Sequence, residues 1–300
     1  MFAGTALIWG SSFLFMKVAL EGVSFGQIAW SRAVLGAIVL GLVVLFGRHV
    51  LPREPIVWLH FLVIGVTNCT IPHLLFAWAE QHVSSSLASI YNSFTPIATA
   101  ILVALVYRVE KLSAQQFVGV VVGIAGAVVI IAPWGVEALT GDLWGQLACL
   151  GAAVSYGVAI GYTRTFIANR PISGTSVAFM NIGMAALVML VLTPFVALGP
   201  VDLSLPVAGS LLLLGGLGTG LAYIWSIGVM RAWGATASST VTYLMPVVGI
   251  ALGVGLLGET LTWNQPLGAV LVLGGILLAQ NRLQRRRVRP ADVVAAPSVD

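Results

Sequence analysis

The residues able to do chemistry are thinly spread and sit inside apolar runs: Ser11, Ser12, Asn68, Asn92, Thr219 and Thr242. Their hydroxyl and amide groups can bind a small polar molecule or simply tie helices together. Trp9, Tyr91, Tyr156, Tyr223 and Trp225 could wall such a site, whereas Trp58, Trp78 and Trp263 fall where interfacial anchors are expected. His73 follows Pro72 and can either titrate near neutral pH or serve as a hydrogen-bonded structural residue. Pro96 and Pro246 lack an N–H, which frees the carbonyls of Asn92 and Thr242 as acceptors that must face protein or a wet cavity. A bent helix with spare acceptors can be a hinge as well as a ligand contact. Absent are paired intramembrane carboxylates, an HExxH pair, a nucleophile elbow and any nucleotide motif. The glycines from Gly215 to Gly220 follow no strand and predict close helix contact. Cys69 and Cys149 lie in apolar runs and predict helix packing; no metal, no cofactor and no catalytic residue is expected.

The elements that must position these residues follow from composition. Apolar residues make up 59% of the 300 and charged ones 8%, with a mean hydropathy of +1.02. A soluble domain carries about 25% charged residues, so this chain cannot clothe itself for water. Breaks at charges, prolines and glycines divide it into spans near 2–20, 27–46, 56–79, 85–107, 114–132, 144–164, 174–198, 207–230, 236–257 and 264–281. The fold class expected is an all-α integral membrane protein, with the first span uncleaved and no soluble domain.

Ten spans put both termini on one side. Twelve of the fourteen Lys and Arg fall there: Arg48, Arg53, Arg108, Lys111, Arg164, Arg170, Arg231 and five arginines from Arg282 to Arg289. The opposite loops hold acids but no Lys or Arg, so the positive-inside rule places both termini in the cytoplasm of a cell (inner) membrane. Within the spans, Lys17 and Arg32 stand about 10 Å from the outer edge, close enough to snorkel. Glu21 stands one turn from Lys17, able to pair with it. The basic tail, 285–300, is expected to be disordered and to touch anionic lipid rather than nucleic acid.

An internal repeat organises the spans. Residues 82–132 and 232–281 align: Ser-rich runs precede Pro96 and Pro246, and Glu110, Gln116, Gly119 and Gly126 fall on Glu259, Gln265, Gly268 and Gly275. Trp9-Gly10 falls more faintly on Tyr156-Gly157. Two units follow, 1–135 and 142–284, each of five spans. An odd number inverts the second unit relative to the first, the arrangement of many secondary transporters around a midplane site. Gly119/Gly123, Gly157/Gly161 and Gly249/Gly253 are GxxxG pairs suited to internal packing or to a homodimer face.

Leu7-Ile-Trp-Gly-Ser-Ser12, Arg32 and the twin blocks Pro96…Glu110-Lys-Leu and Pro246…Glu259-Thr-Leu resemble the EamA family of the drug/metabolite transporter superfamily over essentially the whole chain. The resemblance implies ten helices in two inverted repeats around a central cavity, and export of amino acids or other small metabolites. It also marks Arg32 as a structural or gating residue. The expectation is a secondary carrier, not an enzyme; a passive channel and a membrane-embedded lipid enzyme are the competing readings.

Overall fold

The computed structural model describes residues 2–108, 113–131, 142–226, 228–229 and 241–279. Among them there is no strand. The chain forms α1 (Phe2–Ala19), α2 (Phe25–Phe46), α3 (Pro55–Ala79), α4 (Ser85–Leu105), α5 (Ala114–Ile131), α6 (Asp142–Phe166), α7 (Gly174–Val191), α8 (Leu205–Ser226), α9 (Val241–Leu257) and α10 (Asn264–Ala279). Seven of these helices, all but α5, α9 and α10, are long and apolar enough to cross a membrane. Lipid offers no partner to a backbone N–H or C=O, so runs this apolar must satisfy their own hydrogen bonds as helices. The termini of α2, α4, α7 and α8 are set by serines: Ser24, Ser84, Ser173 and Ser204 accept from the N–H three residues on, and Gln27 completes a capping box with Ser24.

Several helices are interrupted where polar residues cluster. α1 is interrupted at Ser11, whose own N–H still donates to Leu7, and α4 breaks at Ser93–Phe94, where Pro96 opens the following turn. In α3 and α8 the ladder widens to π-helix, over Val66–Thr70 and Leu213–Leu221. Pro246 lies inside α9, which runs on through it.

Glycine sets the closest packing. α5 lies against α10 through Gly119, Gly126, Gly268 and Gly275, and a Cβ added at Gly275 would stand 2.6 Å from the Gly119 carbonyl oxygen. Gly157 of α6 meets the backbone of α4, Gly249 and Gly253 of α9 meet Ser89 and Ser86 of α4, and Gly161 faces the ring of Tyr107. All three GxxxG pairs are thus filled from within the chain. Further contacts join α1 to α9 and α8, α6 to α4 and α3, α2 to α8, α7 and α3, and α3 to α7. Outward faces carry exposed Ile38, Leu42, Phe117, Val121, Leu187 and Leu190. An apolar exterior of this kind suits hydrocarbon, not water.

Hydrogen bonds tie the loops together at one end of the bundle. The Asp202 N–H donates to the Gly22 carbonyl at 2.8 Å. Lys17 does not turn to Glu21; its ammonium donates to the carbonyls of Glu80 and Val83. A lysine one turn inside the edge reaches nearby carbonyls, and those lie in the connection between α3 and α4. Glu259 bonds the N-terminal amides of α4. At the other end Arg170 pairs with Glu54 at 3.0 Å and Ser176 donates to the Val50 carbonyl. Glu110, Lys111, Arg231 and the tail lie outside the described residues.

Candidate functional site

A cavity of about 240 Å³ lies among α1, α2, α3, α4, α6, α8 and α9. Trp9, Ser12, Asn68, His73, Asn92, Tyr156, Tyr223 and Arg32 line it. Phe13, Met16, Phe76, Thr95, Ile160 and Met245 complete the wall.

The helix interruptions supply the polar framework. Widening a helix to π geometry releases carbonyls from the ladder and is frequent at functional sites. In α8, Gly218 accepts from the Trp9 indole N–H at 2.9 Å and Leu214 accepts from the Thr219 hydroxyl at 3.1 Å. In α3, Thr67 accepts from Ser155 of α6 at 2.6 Å. The same π turn carries Asn68, whose amide nitrogen donates to the Tyr223 hydroxyl at 3.3 Å. Tyr223 stands edge-on to Trp9 with ring centroids 5.7 Å apart, and Phe76 packs against both Phe13 and Tyr156.

Arg32 does not snorkel to the membrane edge. Its Nε donates to Thr219 Oγ1 at 3.0 Å and its Nη1 contacts Met16 Sδ at 3.7 Å. Thr219, passing its own proton to Leu214, is free to accept from the guanidinium and holds it in place. His73 is buried with no partner on Nδ1, and the Thr95 hydroxyl is likewise unbonded.

Other sequence-predicted positions fall elsewhere. Ser11 donates to the Ile8 carbonyl within its own helix. Tyr91 is buried away from the cavity and donates to Gln146 at 2.6 Å. Thr219 is buried as the support of Arg32. The Thr242 side chain lies outside the described residues. The wall residues that sequence reasoning missed are mostly apolar, and in a chain that is 59% hydrophobic such residues carry no signal of their own.

Just beyond the end of α3, both carboxyl oxygens of Glu80 are buried without a hydrogen bond. Burial pushes this carboxyl well above the usual carboxylate range, Lys17 opposing the shift and Glu259 adding to it. Glu259 behaves oppositely. Burial raises it, but hydrogen bonds from the Ser86 hydroxyl and from the Ser86 and Ser85 amides outweigh that and hold it below its ordinary value.

A bundle of apolar helices around a cavity, with interrupted helices at the cavity wall, defines a membrane transport protein. The chain belongs to the EamA-like transporter family, whose model matches residues 1–132 and 143–280. A probable terminal-alkyne amino-acid exporter of Streptantibioticus cattleyicolor is 28% identical over 288 residues, covering 94% of this chain and 93% of the relative. The uncharacterized inner membrane transporter YedA of Escherichia coli strain K12 is 25% identical, covering 98% and 92% of the two chains. One solved crystal structure shares the fold with a TM-score of 0.59 at 22% identity, over 94% of this chain and 96% of its own.

Proposed function

We propose that the protein is a secondary carrier that exports amphipathic amino acids or similar small metabolites by alternating access. The observation that carries this reading is the cavity itself: aromatic walls for an apolar side chain and polar groups for a head group. Its volume of about 240 Å³ is below the roughly 300–1,000 Å³ of drug-sized pockets, which suits a metabolite. The probable amino-acid exporter among the relatives supports the substrate class.

In this reading all ten helices cross the bilayer as two inverted five-helix repeats, 1–135 and 142–284. Helix pairing supports it. Under the correspondence of α1 with α6 through α5 with α10, contacts come in matched sets: α1–α9 with α6–α4, α2–α8 with α7–α3, and α3–α6 with α8–α1. The pairs α2–α7, α4–α9 and α5–α10 map onto themselves. The π turns in α3 and α8 are matched as well. The basic loops support a cytoplasmic position for both termini.

The test is reconstitution. Proteoliposomes should take up radiolabelled amphipathic amino acids saturably and show counterflow. Linear, unsaturable flux would mean a pore, and hydrolysis of lipid without flux would mean an enzyme.

A further inference from the structure

We infer that Arg32 is the binding site for a carboxylate on the substrate, so that the carrier selects carboxylate-bearing molecules and rejects amines that lack one. This rests on the carrier reading above and names the chemistry its cavity recognises.

Three observations converge on it. Among the described residues, Arg32 is the one Lys or Arg lining the cavity, and no Asp or Glu lines it. Its guanidinium, always charged, has five N–H donors; only Nε and one Nη1 contact are engaged, on a hydroxyl and a thioether. No carboxylate pairs with it among the described residues. Glu80 is the acid that feels its charge, yet both Glu80 oxygens lack a hydrogen bond, so Glu80 does not bind the guanidinium.

A charge held inside a membrane protein without a counter-charge is costly, and such residues pair with one another or mark a substrate path. Thr219 fixes the guanidinium by Nε, which leaves the Nη donors for a planar, two-oxygen acceptor, the geometry of an Arg–carboxylate fork. The unpartnered Nδ1 of buried His73, on the same wall, is a second polar group left for a ligand. A cationic head group finds no acid in the cavity wall and meets Arg32 instead. The aromatic wall from Trp9, Phe76 and Tyr156 then receives the apolar remainder.

The test compares four molecules that share an isobutyl group on the purified protein in nanodiscs, read by quenching of tryptophan fluorescence, to which Trp9 reports. L-leucine and isocaproate carry the carboxylate; leucinamide and isoamylamine do not. The first two should bind at least about tenfold more tightly than the last two, the scale of a desolvated charge-assisted pair. Arg32→Gln should abolish the difference and Arg32→Lys should keep part of it, with thermal unfolding checking that both variants fold. Thr219→Val should weaken the preference without removing the charge. Equal binding of acids and amines, or preference unchanged in Arg32→Gln, would overturn the inference, as would binding of none of the carboxylates up to the millimolar range. Saturable amino-acid transport alongside equal binding of acid and amide would leave the carrier standing and remove only Arg32's role.

Discussion

Asn68 and Tyr91 are both polar residues in apolar spans, yet substitution should affect them differently. Asn68 faces the cavity and orients Tyr223. Asn68→Leu should therefore lower kcat/KM for transport by about tenfold, or about 1.4 kcal/mol, with membrane expression near normal. Tyr91 faces Gln146 in the packed interior. Tyr91→Phe leaves the Gln146 carbonyl buried without a donor, a loss of about 1–3 kcal/mol. It should lower the thermal unfolding midpoint in detergent while KM stays unchanged. A changed KM in Tyr91→Phe would place that residue in the substrate path after all. The sequence told which residues are polar but not which way they turn. In a soluble helix a polar face reports the water side, whereas here lipid and core are equally apolar and no stripe separates them. Tyr156 and Tyr91 look alike in sequence for that reason, and the bond that holds Arg32 could not be read from sequence because its partner, Thr219, stands 187 positions away.

The closure at one end is a property of elements. Glu259, in the turn between α9 and α10, serves as a cap for α4 by accepting from the Ser85 and Ser86 amides at 2.7 and 3.0 Å. A carboxylate at a helix N-terminus also opposes the macrodipole's positive end. Glu259→Ala should cost about 1 kcal/mol, the usual worth of a cap, seen as a lower unfolding midpoint. The pH dependence has a fixed sign. Because the folded protein holds Glu259 below its ordinary value of 4.5, the unfolded chain binds the proton more readily. The stabilisation is complete above that ordinary value and is lost as pH falls through the lower folded one. Wild type should thus lose more stability than Glu259→Gln on acidification below that value; parallel curves would show that the cap carries no linkage. The helices themselves were legible, since charges, prolines and serine caps mark their ends. The π turns were not. They keep the apolar composition of their helices, and two of the released carbonyls are met by tertiary donors, the Trp9 indole at Gly218 and the Ser155 hydroxyl at Thr67.

At the scale of the whole molecule, the proposed inverted repeat makes orientation and mechanism testable. Cysteine at Asp202, in the loop stitched to Gly22, should react with an impermeant reagent from outside the cell, and cysteine at Arg170 should not; the reverse pattern would invert the topology. In the proposed duplication, 82–132 aligns with 232–281, and the two segments differ in conformation. α4 is broken at Ser93–Phe94 ahead of Pro96, whereas α9 runs through Pro246 as one helix. Sequence could not have shown this, because a proline removes the same hydrogen bond in both places and only tertiary contacts decide which helix breaks. If the halves exchange conformations during transport, the broken helix and the continuous one trade roles, and the end closed by Glu259 opens while the other closes. Pro96→Ala restores the N–H to carbonyl bond and favours a continuous α4, against the state described here. Pro246→Ala favours a continuous α9, which is the state described here. A cysteine at Ser12, on the cavity wall, should therefore become more accessible from outside in Pro96→Ala and less so in Pro246→Ala, and each variant should slow transport. Shifts in the same direction, or normal transport in both, would make the prolines static kinks and end the exchange mechanism.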